Sequence, residues 1–224
     1  MAEEISISRN VLADQVREYL LQGVFSGRYA PDTRIVETRV ARELGTSQTP
    51  VREALRALEA MGIVELLPFK GARVRRPSPA EFVEAYTVRA TLESLGARLG
   101  VPRMTDQDLA EIIDLHDQMQ AAVATRNRHL IAGCDTAFHA RVLQMSGNAT
   151  LATLWRSLEP ASRTYISLIA PNADPAWTFG LHPPIMAALQ QRDLAAVEAA
   201  LANHFDEVIR HMVASLQRLE GSGG

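Results

Sequence analysis

Asp135 and His139 stand four residues apart in the run DTAFH, one helical turn, on an apolar stripe shared with Phe138, Val142 and Met145. His204 falls in a second stripe, formed by Leu194, Val197, Leu201, Val208 and Met212. His182 opens a short segment in line with Ile185 and Leu189. One carboxylate and three imidazoles therefore point toward one apolar interior. A buried carboxylate is costly without a partner, so Asp135 needs one. Three imidazoles and a carboxylate suit a divalent transition ion such as zinc, nickel or manganese. The same pattern also fits three core histidines, each satisfied separately. His116 lies beside another apolar stripe, with Leu109, Ile112 and Val123, so burial alone does not select ligands. His129 and His211 read as surface or helix-end residues, and Cys134, on a different face from Asp135, reads as core.

A second chemistry sits in TSQTPVREALRALEAMG. Thr49 suits an N-cap and Pro50 the first helical position. Val51, Ala54, Leu55 and Leu58 make the buried stripe of this helix. Ser47, Gln48, Thr49, Arg52 and Arg56 lie at and beyond its N-terminus, where a recognition helix meets base edges and phosphates. The next segment reads as strand Ile63–Leu67, turn Pro68–Gly71 and strand Ala72–Arg75, a wing with Lys70, Gly71 and Arg73 at or near its tip. A small helical domain with a solvated arginine face is the plainer alternative.

Other elements must hold these residues. An amphipathic helix over 10–26 carries Val11, Val16, Tyr19, Leu20 and Val24 on one face, and Gly27 with Pro31 makes the turn after it. A helix from Thr38 to Leu44 stops at Gly45, which gives two helices joined by a short turn, the spacing of a helix-turn-helix. Pro77–Pro79 is a linker in which Ser78 can cap the next helix. Helices are then expected near 80–100, 105–125, 128–146, 149–170, 182–191 and 193–218, with no strand-like alternation. The fold class is mainly α: residues 1–76 form a winged helix-turn-helix, 77–79 a linker, 80–218 an antiparallel all-helical bundle, and 219–224 a disordered tail.

The 224 residues are 47% hydrophobic and 22% charged, an ordinary globular composition. No apolar run reaches the roughly 20 residues that span a bilayer. The acidic start MAEEISISRN lacks the basic start and apolar core of a signal peptide, and the single cysteine forbids an intrachain disulfide. These features point to a cytoplasmic protein with no membrane partner. Net charge is −3, but residues 1–76 carry 12 Lys+Arg against 10 Asp+Glu, and the remainder 11 against 16. Positive charge is thus concentrated in the expected DNA-binding third.

The run APDTRIVETRVARELGTSQTPVREALRALEAMGIVELLPFKGARVRR resembles the GntR-family winged helix, most specifically in TPVREAL and in the Gly62-Ile63-Val64 before the wing. The family pattern has Arg where this chain has Gln48, a change that favours adenine over guanine in bidentate contact. Residues 80–215 resemble the FCD domain of the FadR-type branch, through VRATLE (88–93), DTAFH (135–139), SGN (146–148) and the spacing from His182 to His204. Six expected C-terminal helices suggest the VanR-like subgroup. The resemblance implies a metal held by Asp135, His139, His182 and His204 and facing an effector cavity. Effectors of such domains are mostly small organic acids and sugar acids. Arg89, within VRATLE, suits the carboxylate of such a ligand, with Arg163 and Tyr165 as further candidates. A salt bridge with Glu93, four residues on, is the alternative role for Arg89.

The expected function is a metabolite-responsive regulator, most simply a repressor. One helix-turn-helix per chain reads a half-site, so a homodimer on double-stranded operator DNA is expected. Two other classes compete. A metal enzyme could use the Asp and three His to activate water, but no separate base or nucleophile is visible and the winged helix would be unexplained. An architectural DNA binder with a structural metal would bind DNA regardless of effector.

Overall fold

The structure is a computed structural model that describes residues 8–68, 70–76, 78–158 and 174–221. The chain divides into two compact units, residues 1–76 and 77–224. It is mainly helical, and none of its described helices is long and apolar enough to cross a membrane.

The first unit contains helix α1 (Ser8–Phe25), strand β1 (Arg34–Ile35), helices α2 (Glu37–Glu43) and α3 (Gln48–Ala60), and strands β2 (Val64–Leu67) and β3 (Gly71–Val74). Apolar residues at helical spacing make α3 pack against both α1 and α2. Leu20, Ile35, Val51, Leu55, Leu58 and Val64 are fully buried, each contributing about 1.5–3 kcal/mol relative to exposure. The sheet is antiparallel with order β1-β3-β2, and Arg73 is opposite both Arg34 and Glu65. Gly71 closes the wing turn at φ +87°, and a Cβ there would lie 2.2 Å from the Ile35 carbonyl oxygen. Only glycine fits that crossing.

Three local expectations change here. Helix α3 begins at Gln48 with Ser47 as N-cap, rather than at Pro50 with Thr49. Pro50 occupies the third helical position, where the missing N–H is no loss because first-turn donors have no intrahelical acceptor. Strand β1 lies between the expected turn at Gly27 and Pro31 and the expected helix from Thr38, where no element was expected; two residues show no alternation, and their partner strand is far along the chain. The second wing strand starts at Gly71 rather than Ala72.

The second unit contains α4 (Pro79–Gly100), a 3₁₀ turn (Val101–Arg103), α5 (Asp106–Ala124), α6 (Arg128–Gln144), α7 (Ala149–Ser157), α8 (Pro175–Phe179), α9 (Pro183–Gln190) and α10 (Leu194–Gly221). Ser78 with Glu81, and Thr105 with Asp108, form capping boxes that start α4 and α5. Helix α4 packs against α10 and α6, α5 against α6, and α9 against α10. Gly100 allows the closest approach, since a Cβ on it would lie 2.8 Å from Met145 Cβ. The described residues contain one more α-helical segment than the six expected, α8, whose five residues are too short for periodicity to reveal. Helix count therefore does not carry the subgroup assignment. The expected helix over 149–170 is seen as far as Ser157; its remainder, with Arg163 and Tyr165, lies outside the described residues.

Candidate functional site

In the first unit, the N-terminus of α3 and the wing turn border one concave surface of about 600 Å³. Gln48, Arg52, Arg56, Lys70 and Gly71 line it, as does Arg34, which sequence reasoning missed. Arg34 Nε donates to the Lys70 carbonyl at 2.8 Å, which fastens the wing turn to β1. The only signal for Arg34 was its charge, because its neighbourhood depends on the unrecognised strand. Ser47 and Thr49 are exposed beside this surface and do not line it. Arg52 pairs with Glu37 at 2.8 Å and Arg73 with Glu65 at 2.9 Å. Both arginines are well exposed, so these pairs are worth little and a phosphate can compete for them.

In the second unit, α6 carries Asp135 and His139 on its buried face, His182 is the N-cap of α9, and His204 lies midway along α10. One ligand atom from each of the three imidazoles lies within 4.8 Å of the other two. All three rings are buried, and His139 Nε2, His182 Nε2 and His204 Nδ1 have no aligned hydrogen-bond partner. Of these, His139 Nε2 and His204 Nδ1 are orphaned, which is expensive in a protein interior, and three imidazoles that converge beside a carboxylate fit a divalent cation. Asp135 stands beside this trio. Its Oδ1 is 3.1 Å from His182 Nε2 and 3.8 Å from His139 Nε2, and its Oδ2 is 3.8 Å from Arg89 Nη2.

The rings are held from behind. His182 Nδ1 lies 3.2 Å from the Thr178 carbonyl and 3.3 Å from that of Phe179. His139 Nδ1 lies 2.5 Å from Glu93 Oε2. Glu93 was noted in the sequence only as a partner for Arg89; nothing in its spacing pointed to His139. Arg89 does form that salt bridge, Nε to Oε1 at 2.7 Å, with both residues at most 2% exposed. Tyr86, Trp155 and Phe205 surround its guanidinium, with ring centroids 5.3–5.8 Å away.

Burial raises the pKa of Glu93, but His139, Arg89 and the Trp155 hydrogen bond outweigh it and hold the carboxyl at about 2. Burial likewise pushes Asp135 up, and contact with His182, His139 and Arg89 brings it well below the usual carboxylate range. Burial drives His204 well below 6.5, reinforced by His182 and His139, so its ring is neutral and keeps a lone pair. His116 is not in the trio; its ring tilts against Phe179 at 4.9 Å. His211, read as a surface or helix-end residue, is half-buried within α10 and stacks on Trp177 at 4.1 Å.

Comparison with known proteins gives matches along nearly the whole chain. The family described as bacterial regulatory proteins, gntR family, matches residues 12–74, and the FCD domain matches residues 84–207. A probable D-xylose utilization operon transcriptional repressor from Paenarthrobacter nicotinovorans is 31% identical over 198 residues, covering 88% of this chain and 87% of that protein. The HTH-type transcriptional repressor RspR of Escherichia coli is 26% identical over 201 residues, covering 87% and 86%. Among solved structures, E. coli McbR/YncC aligns with a TM-score of 0.69 at 24% identity, covering 93% of this chain and 98% of that one. A putative transcriptional regulator from a Rhodococcus species aligns at 0.74 with 20% identity, covering 90% and 97%. At these identities the structural likenesses establish the fold.

Proposed function

This chain belongs to the GntR family of bacterial regulatory proteins, with an FCD domain after its DNA-binding head, and on that premise we propose that it is a metabolite-responsive repressor acting as a homodimer. It is a transcriptional regulator and not an enzyme.

The DNA head presents Ser47, Gln48, Thr49, Arg52, Arg56, Lys70, Gly71 and Arg73 to an operator half-site. Two chains then read a pseudo-palindrome. Asp135, His139, His182 and His204 hold a zinc, nickel or manganese ion. The observation that carries this reading is the convergence of three buried imidazoles, of which His139 Nε2 and His204 Nδ1 lack a hydrogen-bond partner and His182 Nε2 faces the Asp135 carboxylate. When bound, the ion attracts a carboxylate or hydroxyl oxygen as a Lewis acid. The effector is then a small organic acid or sugar acid, with Arg89, Arg163 and Tyr165 as its further contacts. The Paenarthrobacter relative is named for a D-xylose utilization operon, so the screen includes D-xylose beside the sugar acids. Effector binding shifts the population between conformers of different operator affinity.

The test is a thermal-shift screen of organic and sugar acids on the metal-loaded protein, followed by gel shifts on its own promoter region. One acid should raise the melting temperature by mass action and change operator affinity. Operator binding indifferent to every acid that binds would leave an architectural DNA binder instead.

A further inference from the structure

Glu93 on α4 has 0% exposure and assigns its two oxygens to different partners. Oε1 accepts from Arg89 Nε at 2.7 Å and from the Trp155 indole N–H at 2.8 Å. Guanidinium and indole N–H groups are donors only, so Oε1 is fixed as an acceptor. Oε2 faces His139 Nδ1 at 2.5 Å. A carboxylate oxygen can only accept, and a neutral imidazole has one donor and one acceptor nitrogen. The opposite nitrogen, His139 Nε2, is buried without an aligned hydrogen-bond partner.

We propose that Glu93 is a positioning residue that sets the tautomer of His139, holding the ring proton on Nδ1 and leaving the Nε2 lone pair directed at His182 and His204. The use of that lone pair rests on reading the trio as a metal centre; the tautomer itself does not. Without Glu93, either nitrogen of His139 can carry the proton, and the form with Nε2–H cannot ligate. Arg89 and Trp155 contribute by committing Oε1, so that the carboxylate cannot rotate away from the ring. A carboxylate behind a ligating imidazole is a general means of fixing ring orientation and raising basicity.

Glu93→Gln tests this with almost no change of shape. The two donors, Arg89 and Trp155, retain the amide oxygen on their side. The amide NH₂ then faces His139 Nδ1, which must accept, and the ring proton moves to Nε2. Nitrogen-15 histidine spectra of the metal-free full chain at about pH 8, above the ordinary imidazole range, distinguish the two tautomers. The His139 signals are identified by their loss in His139→Gln. The wild type should show Nδ1–H and Glu93→Gln should show Nε2–H, with zinc affinity by calorimetry about 10–100-fold weaker. A wild-type His139 already protonated on Nε2 overturns the proposal, as does an unchanged tautomer in the variant. A switched tautomer with unchanged zinc affinity also overturns it. Should Glu93→Gln fail to fold, the wild-type spectrum still decides, and Glu93→Asp should keep Nδ1–H. A wild type that binds no zinc, nickel or manganese, yet switches tautomer on substitution, sinks the metal reading and leaves Glu93 as the residue that sets the ring.

Discussion

Nε2 of His182 stands 3.1 Å from Oδ1 of Asp135, while the other nitrogen of the ring faces the carbonyls that end α8. The N-terminus of α9 is thereby docked on the buried face of α6 by a polar contact inside an apolar core. The site is therefore part of the packing of the bundle, and any ligand bound there would be linked to stability.

His204→Ala should separate the two. It removes a buried imidazole whose Nδ1 lacks a partner, so the metal-free variant should lose less than the roughly 2–5 kcal/mol typical of emptying a core position. Metal at a hundred times its Kd should stabilise the wild type by about 2.7 kcal/mol and the variant by almost nothing. Thermal unfolding with and without zinc checks both. An equal shift in the two proteins would place the ion elsewhere.

Low pH should destabilise the metal-free second unit. The folded pKa of His204 lies well below the unfolded value of 6.5, so the unfolded chain binds more protons between the two. This contribution is complete above 6.5 and is lost as pH falls below it. Glu93 adds to the loss further down, because its carboxyl is held at about 2 against 4.5 unfolded. Denaturant titrations across this range should give falling stability, with a shallower slope near 6 in His204→Ala. A flat profile in the wild type would mean that the ring is not held neutral.

Gln48→Arg should change which operator is preferred. Gln48 is exposed at the start of α3 on the concave surface shared with Arg52 and Lys70. A glutamine pairs bidentately with adenine and an arginine with guanine, so one base pair per half-site should switch by about 1–3 kcal/mol. Binding-site selection from random DNA reads this directly. Identical consensus sequences would remove Gln48 from base readout.

Gly71→Ala should damage the wing alone. At φ +87° the backbone strain costs on the order of 1–3 kcal/mol, and the added Cβ meets the Ile35 carbonyl oxygen at 2.2 Å. Hydrogen exchange should accelerate in β1, β2 and β3, leave α4–α10 unchanged, and accompany a loss of DNA affinity. Full retention of operator binding would show that the crossing of β1 and the wing turn is dispensable.

Periodicity made much of this legible. The stripe of Val51, Ala54, Leu55 and Leu58 located α3, and the four-residue step from Asp135 to His139 put both on the buried face of α6. Chain separation hid the rest. Strand β1 exists because β3 pairs with it, and two residues carry no pattern of their own. Glu93 and His139 lie on different helices, so their 2.5 Å contact leaves no mark in either local run. The salt bridge from Arg89 to Glu93 was visible as an i,i+4 pair. That the same carboxylate also serves His139 and Trp155 became visible only once α4, α6 and α7 were packed together.

Among the buried described residues, one guanidinium, Arg89, stands against two carboxylates, Glu93 and Asp135. Apart from the imidazoles, these charges sum to a single negative charge. An acidic metabolite reaching this core alone would meet repulsion in a medium of low dielectric, where like charges are felt most strongly. A divalent cation reverses that sign. On the proposed reading, electrostatics sets an order of arrival: the ion is expected first and the acid second, with no response to the acid in metal-free protein.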